Sequence, residues 1–209
     1  MVALAIGSGS VPIIFTGVGD PLAYGLVKDL GRLEDLPRGR PPDRLPVVLT
    51  RDEVRRVLGR LSGVVWLVVA LLYGAGLRIT ECLELRVKDV DFDRRQITVR
   101  RGKGRKDRRA VLPALVTTKL SDHLDAVRRR HANDLAAGFG AAVLPGALDR
   151  KYPNASRDWR WQFVFPAARL CRDPRYGPPT RYHLHESVIQ RALAAAAREC
   201  VIAKRVSCH

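Results

Sequence analysis

The 209 residues carry 37 Lys and Arg against 21 Asp and Glu, a formal net charge of +16, and 46% of them are apolar. That length suits one domain, or one domain plus an appendage, with enough apolar content for a buried core. The charge points to a polyanionic partner, most simply nucleic acid, with a basic ribosomal or membrane-surface protein as the competitor.

Along the chain, residues 1–20 are apolar without a clear period and stay unassigned, open to a reading as disordered. They lack the basic n-region of a signal peptide. The apolar run Val64 to Leu72 is too short to span a bilayer, so a cytoplasmic chain with no membrane contact is expected. Residues 21–34 fit one short helix. Residues 36–48 hold four prolines and three arginines, an extended basic linker that places a domain boundary near residue 45.

Thr50 and Glu53 form a capping box that opens an amphipathic helix through about Leu61, with Gly63 as its breaker. Val64 to Tyr73 is apolar on all sides, the pattern of a buried helix, and Gly74 and Gly76 are expected to end it. Ile79 to Leu85 reads as a second short helix with Arg78 in its first turn. The period then changes to two. Val87, Val90 and Phe92 suggest a short strand, and Gln96 to Arg100 with Arg108 to Leu112 suggest a β-hairpin around the turn GKGRKD. Helical pattern resumes from about Leu115 to Ala137. Residues 138–182 are irregular, and Glu186 to Glu199 is an alanine-rich helix.

Cys82, Cys171, Cys200 and Cys208 show no CxxC spacing and no zinc-finger pattern, so reduced thiols are expected and no metal or other cofactor is implied. Arg78 follows a glycine turn at a helix start, where backbone N–H groups and a guanidinium suit a phosphate. The local alternative is an arginine paired with Glu81 or Glu84. The hairpin gathers Arg100, Arg101, Lys103, Arg105, Lys106, Arg108 and Arg109, and Lys103 lies between two glycines that permit close backbone approach. The plain reading of these residues is a ribbon of nonspecific phosphate contacts. No GxxxxGK[ST] is present, so a P-loop is not supported.

Taken in order, YGAGLRITECLEL, VKDVDFD and ITVRRGKGRKDRRAVLP resemble the catalytic domain of tyrosine recombinases, the phage-integrase family. A second set, LPGALDRKYPNASRDWRWQFVFP, RDPRYG, RYHLHESVIQRAL and VSCH, resembles the insertion and flanking segments of integron integrases. The resemblance covers about residues 42–209. It implies an α+β fold: a mainly helical recombinase catalytic domain with a small three-stranded antiparallel sheet containing the 96–112 hairpin. It further implies a remnant of an N-terminal DNA-clamping domain plus linker at 21–45, a partial catalytic domain at 46–209, and an integron-type insertion at about 138–166.

The activity so implied is site-specific DNA recombination through a 3′-phosphotyrosine intermediate. Arg78 would be a clamp on the nonbridging phosphate oxygens, Lys103 the general acid, and His209 the histidine that opens a His-x-x-Arg motif. Arg100, Arg101, Arg105, Lys106 and Arg108 would contact DNA. Trp161, Pro174, Tyr182 and His183 match positions of pockets for bases extruded from a folded single strand. The family often has two adjacent histidines where Tyr182 and His183 stand here. For Trp161 the alternative is core packing, and for Pro174 a plain turn. Partners would be a double-stranded attachment site, a folded single-stranded cassette site, and further copies of the chain in a synaptic homotetramer.

The second arginine, a second active-site histidine or tryptophan, and the nucleophilic tyrosine should follow His209. None of Tyr24, Tyr73, Tyr152, Tyr176 and Tyr182 stands in that context. The expectation is a C-terminally truncated catalytic domain that is inactive alone. The alternative is a noncatalytic basic DNA-binding fragment or decayed gene product.

Overall fold

The computed structural model describes residues 2–4, 13–15, 48–100, 107–145, 148–172, 179–204 and 206–208. The chain divides into two units, 1–46 and 47–209. In the first, β1 (Val2–Leu4) and β2 (Ile13–Phe15) pair antiparallel, with Val2 opposite Phe15. Within the stretch that the sequence leaves unassigned, residues 2–4 and 13–15 thus form a pairing between two short segments, which no local period reveals. The helix expected over 21–34 lies outside the described residues, as does the linker up to residue 47.

In the second unit, α1 (Arg51–Arg60) opens as its capping box dictates. Thr50 Oγ1 accepts from the Glu53 N–H at 3.2 Å, and Glu53 Oε2 accepts from the Thr50 N–H at 2.7 Å. Two orphan amides are thereby satisfied at the helix start. Glu53 also accepts from Lys204 Nζ at 2.8 Å, tying this end of α1 to the chain beyond the last helix.

The apolar helix α2 (Gly63–Ala75) is the centre of the unit, with Leu67 to Leu71 buried and the later helices Ile79–Leu83, Ala114–Ala136 and Glu186–Glu199 packed around it. Gly74 does not end it. A Cβ there would stand 2.7 Å from Pro113 Cγ, so the glycine permits a close crossing inside the helix. The stop is Gly76, left-handed at φ 62°.

The turn feeds α3 (Ile79–Leu83), which is shorter than the sequence suggested. Arg78 is its extended N-cap rather than a member of its first turn. Val87 to Asp89 form a 3₁₀ turn instead of a strand, leaving β3 as Val90–Asp91 alone. It joins β4 (Gln96–Val99) and β5 (Arg108–Val111) in an antiparallel sheet of order β3-β4-β5, with Val90 opposite Ile97 and Ile97 opposite Ala110. Ile97 and Val99 face the core and alternate with more exposed neighbours, the period of a half-buried strand.

Helix α4 (Ala114–Ala136) buries Val116, Leu120, Leu124, Val127 and His131, one stripe at helical spacing. The stretch after it is ordered by long-range contacts. It contains α5 (Leu148–Lys151), 3₁₀ turns at Ala155–Arg157 and Trp159–Trp161, and a ribbon whose bridges pair Pro166 with His183 and Cys171 with Thr180. Helix α6 (Glu186–Glu199) closes the unit. One core draws on all these elements: Val68, Leu71, Ile79, Leu83, Ile97, Leu120, Phe165 and Ile189 are nearly or fully inaccessible. The unit is mainly helical with one small antiparallel sheet, the α+β class that the resemblance implied. Among the described residues no helix is long and apolar enough to cross a membrane.

Candidate nucleic-acid interface

Two adjoining features carry the chemistry. The first is built on the N-cap of α3. The Arg78 N–H donates to Glu81 Oε2 at 2.9 Å, and Arg78 Nη1 donates to Oε1 at 2.8 Å. Arg108, from the first position of β5, donates through Nη2 to the same Oε2 at 2.7 Å and to the Gly76 carbonyl at 3.3 Å. The Glu81 side chain is 8% exposed, whereas those of Arg78 and Arg108 are 54% and 40% exposed. A buried carboxylate therefore holds two guanidiniums that face solvent.

Burial pushes the Glu81 carboxyl up, but the Arg78 N–H, the Arg78 guanidinium and Arg108 outweigh it and hold the group below its ordinary range. Glu81 remains an anion. Among the described residues only Nη1 of the Arg78 guanidinium is engaged. The arginine is thus paired with Glu81, as the local alternative held, and still offers donors outward.

The second feature is a groove of about 300 Å³ whose wall includes Glu81, so it adjoins the arginine cluster. Lys88, Arg100, Trp161 and Tyr182 line it. Lys88 Nζ sits 2.8 Å from the centroid of the Trp161 ring, a cation–π contact. Burial, reinforced by the nearby Arg100 charge, lowers the Lys88 ammonium to about 8. Arg100 donates to the buried Asp89 carboxylate at 2.6 Å.

In the groove wall Phe163 meets Tyr182 and His183 edge-on, and those two rings lie 4.2 Å apart. Tyr182 belongs to the groove wall; His183 packs behind it, with Nδ1 donating to the Leu184 carbonyl at 2.8 Å. Arg86 fixes this region to the sheet side. Its guanidinium lies 4.0 Å over the Phe163 ring and donates to the Trp161 carbonyl at 2.6 Å and the Val143 carbonyl at 2.7 Å.

The structure therefore brings Arg78 and Arg108 together, and Arg100, Trp161 and Tyr182 together beside them. Trp161 lines a groove rather than filling the core. Arg100 and Arg108 are tied to Asp89 and Glu81, not free along a solvated ribbon. Lys103, Arg101, Arg105, Lys106, Pro174 and His209 lie outside the described residues. Sequence reasoning weighed Glu81 only as a partner of Arg78; the signal for more was the capping-box spacing of Arg78 and Glu81. Nothing local marked Lys88 or Arg86, whose partners are remote in sequence. The four cysteines are free, and no group of metal-ligating side chains occurs among the described residues.

The family model described as the Phage integrase family matches residues 48–209. The chain is similar to an integrase/recombinase of Escherichia coli, 45% identical over 188 residues, covering 89% of this chain and 56% of that protein. It thus spans little more than half the length of that relative. A putative integrase/recombinase of Sinorhizobium fredii, y4eF, is 33% identical over 215 residues, covering 97% of this chain and 83% of that one. The crystal structure of XerA recombinase shares the fold, with a TM-score of 0.51 at 23% identity over 83% of this chain and 49% of that chain.

Proposed function

Since the chain belongs to the phage integrase family of tyrosine recombinases, which act on DNA, we propose that residues 46–209 form the phosphate-holding part of a strand-breaking and rejoining site, joined to a groove for a base extruded from folded single-stranded DNA. The carrying observation is the contiguity of the two features: the Arg78–Glu81–Arg108 cluster and the Lys88–Trp161–Tyr182 groove share the wall that α3 provides.

In this reading a tyrosine oxygen attacks the scissile phosphorus and the bond to the 5′ oxygen breaks, leaving a 3′-phosphotyrosine. Arg78 neutralises charge building on the nonbridging oxygens, from a guanidinium already oriented by Glu81. Lys103 gives its proton to the departing 5′ oxygen, and His209 assists proton transfer. Because the phosphotyrosine retains the energy of the phosphodiester, rejoining needs no nucleotide.

The nucleophile is not assigned to this chain. Tyr73 is an exposed residue of α2, Tyr152 is exposed after α5, and Tyr182 is taken up by the groove. Tyr24 and Tyr176 lie outside the described residues. The 209-residue polypeptide by itself should bind DNA without cleaving it. Integron-type cassette recombination is the specific process proposed, because an extruded-base groove suits a folded single strand better than a continuous duplex. A homotetrameric synapse that also takes a double-stranded attachment site belongs to the same proposal.

The test is a binding and trapping experiment on the 209-residue chain. A DNA hairpin with an unpaired stem base should bind more tightly than the same stem fully paired. Trp161→Ala should remove that preference, and no covalent protein–DNA adduct should form. An adduct would overturn the claim of inactivity. Equal affinity for both stems, with only a steep salt dependence, would support a noncatalytic basic DNA-binding fragment instead.

A further inference from the structure

Arg181, immediately before Tyr182, is the most fully engaged guanidinium among the described residues. It donates Nε and Nη2 to the two carboxylate oxygens of Asp134 at 2.6 and 2.8 Å, a bidentate fork. Its Nη1 donates to the Ala167 and Ala168 carbonyls at 3.0 and 2.7 Å. Both side chains of the ion pair are 14% exposed. One planar group therefore joins three pieces of chain: the last turn of α4, the outgoing side of the ribbon at 166–172, and its returning side at 179–183.

Its returning side also packs Tyr182 and His183 against the Phe163 ring, but its hydrogen-bonded tie to α4 among the described residues is this one ion pair. Between its two sides the backbone supplies the Ala167 N–H to the Tyr182 carbonyl at 2.7 Å, the Leu184 N–H to the Phe165 carbonyl at 2.8 Å at its base, and a reciprocal Cys171–Thr180 pair, and among the described residues Asp134 is the α4 side chain that bonds to it. An isolated two-stranded ribbon is marginal in water without a packed face or an anchor. The residue that the anchor fixes most directly is its neighbour Tyr182, which is 42% exposed and forms a wall of the groove.

We propose that the Asp134–Arg181 pair is a positioning device for the extruded-base groove: it sets the distance of Tyr182 from Trp161 by pinning the ribbon to the end of α4. The proposal rests on the reading of that groove as a base site. Neither Asp134 nor Arg181 lines the groove, so neither touches a base and both act through Tyr182. Arginine suits the role because its fork spans a carboxylate and two carbonyls together, which a single ammonium cannot do.

The experiment measures, on the 209-residue chain, the ratio of affinities for a hairpin with one unpaired stem base and for the same stem fully paired. Asp134→Asn keeps the shape and one acceptor oxygen. It should lower the ratio roughly fivefold, as expected for residues coupled by contact, with the paired stem bound as before. Arg181→Lys should do the same although the charge is kept. In a Tyr182→Ala background neither substitution should lower the ratio further.

Four results would overturn the proposal. Equal weakening of both DNAs would report a general loss of fold. A full effect of Asp134→Asn in the Tyr182→Ala background would mean that the pair acts independently of Tyr182. An unchanged ratio in Asp134→Asn, beside a lost one in Tyr182→Ala, would leave the groove reading standing and remove the positioning role. If Tyr182→Ala itself leaves the ratio intact, the groove reading fails and the proposal falls with it.

Discussion

Glu81 is a buried carboxylate between two arginines, and the effect of its removal can be worked out from its contacts. It accepts three hydrogen bonds, from the Arg78 N–H, Arg78 Nη1 and Arg108 Nη2. Breaking a buried ion pair costs about 3–5 kcal/mol. Here both arginines stay half open to water, so the loss for Glu81→Ala is discounted to about 2–3 kcal/mol. Glu81→Gln keeps one acceptor but turns an amide donor toward a guanidinium, for a loss of about 1–2 kcal/mol. In a domain of this size each kcal/mol moves the melting temperature by roughly 2–4 °C.

The pH dependence has a definite sign. The folded carboxyl titrates below its ordinary value of 4.5, so its stabilisation is fully present above that value. It is lost as pH falls through the lower folded value. Urea unfolding of wild type and Glu81→Ala at neutral pH, and again in acid, measures this directly. A Glu81→Ala protein within about 0.5 kcal/mol of wild type at neutral pH would refute the reasoning. So would a difference that persists unchanged in acid.

Two further outcomes follow from the groove. Arg86→Met leaves the Trp161 and Val143 carbonyls without their charged donor and should cost about 2–4 kcal/mol in urea unfolding; a loss under about 1 kcal/mol would show that water replaces the guanidinium freely. Lys88 titrates at about 8 in the folded state against an ordinary 10.5. Below about 8 it is protonated in both states and folding bears the penalty of its burial. Stability should rise with pH between those two values and level off above 10.5. Comparing unfolding free energies of wild type and Lys88→Met across that window isolates the rise, and parallel curves would contradict it.

How much of this was legible in the sequence depended on how far apart the interacting residues stand. Thr50 and Glu53 announce the start of α1 because a capping box is complete within four residues. Glu186 to Glu199 is right at both ends, since alanine-rich helical pattern needs no distant help. The pairing of β4 with β5 was readable because the strands flank one turn. Gly74 misled because the reason for a glycine there is Pro113, which no window around residue 74 contains. The stretch 138–182 looked irregular because its order comes from elsewhere. Arg86 supplies donors to carbonyls 57 and 75 residues away, and Asp134 grips Arg181 across 47. Propensity cannot report such contacts, since they are made by tertiary structure alone.

The same distance rule explains why Arg78 was ambiguous. Within its own helix it is an arginine three residues from a glutamate, and that pairing is real. Arg108 converts the pair into something else, and it arrives from 27 residues downstream. Two guanidiniums and one carboxylate carry a net charge of +1, enough to attract a phosphate without the repulsion of a bare arginine pair. The counter-ion is buried and charged, so the guanidiniums are oriented before any DNA arrives. If a phosphate binds there as proposed, water has less reorganisation to undergo when charge builds on it. Under the proposed function, the reading of Arg78 as a structural partner and the reading as a phosphate clamp describe one device. Glu81 is the part that makes them compatible, and a site without it would hold its arginines by mutual repulsion, pointing wherever solvent let them.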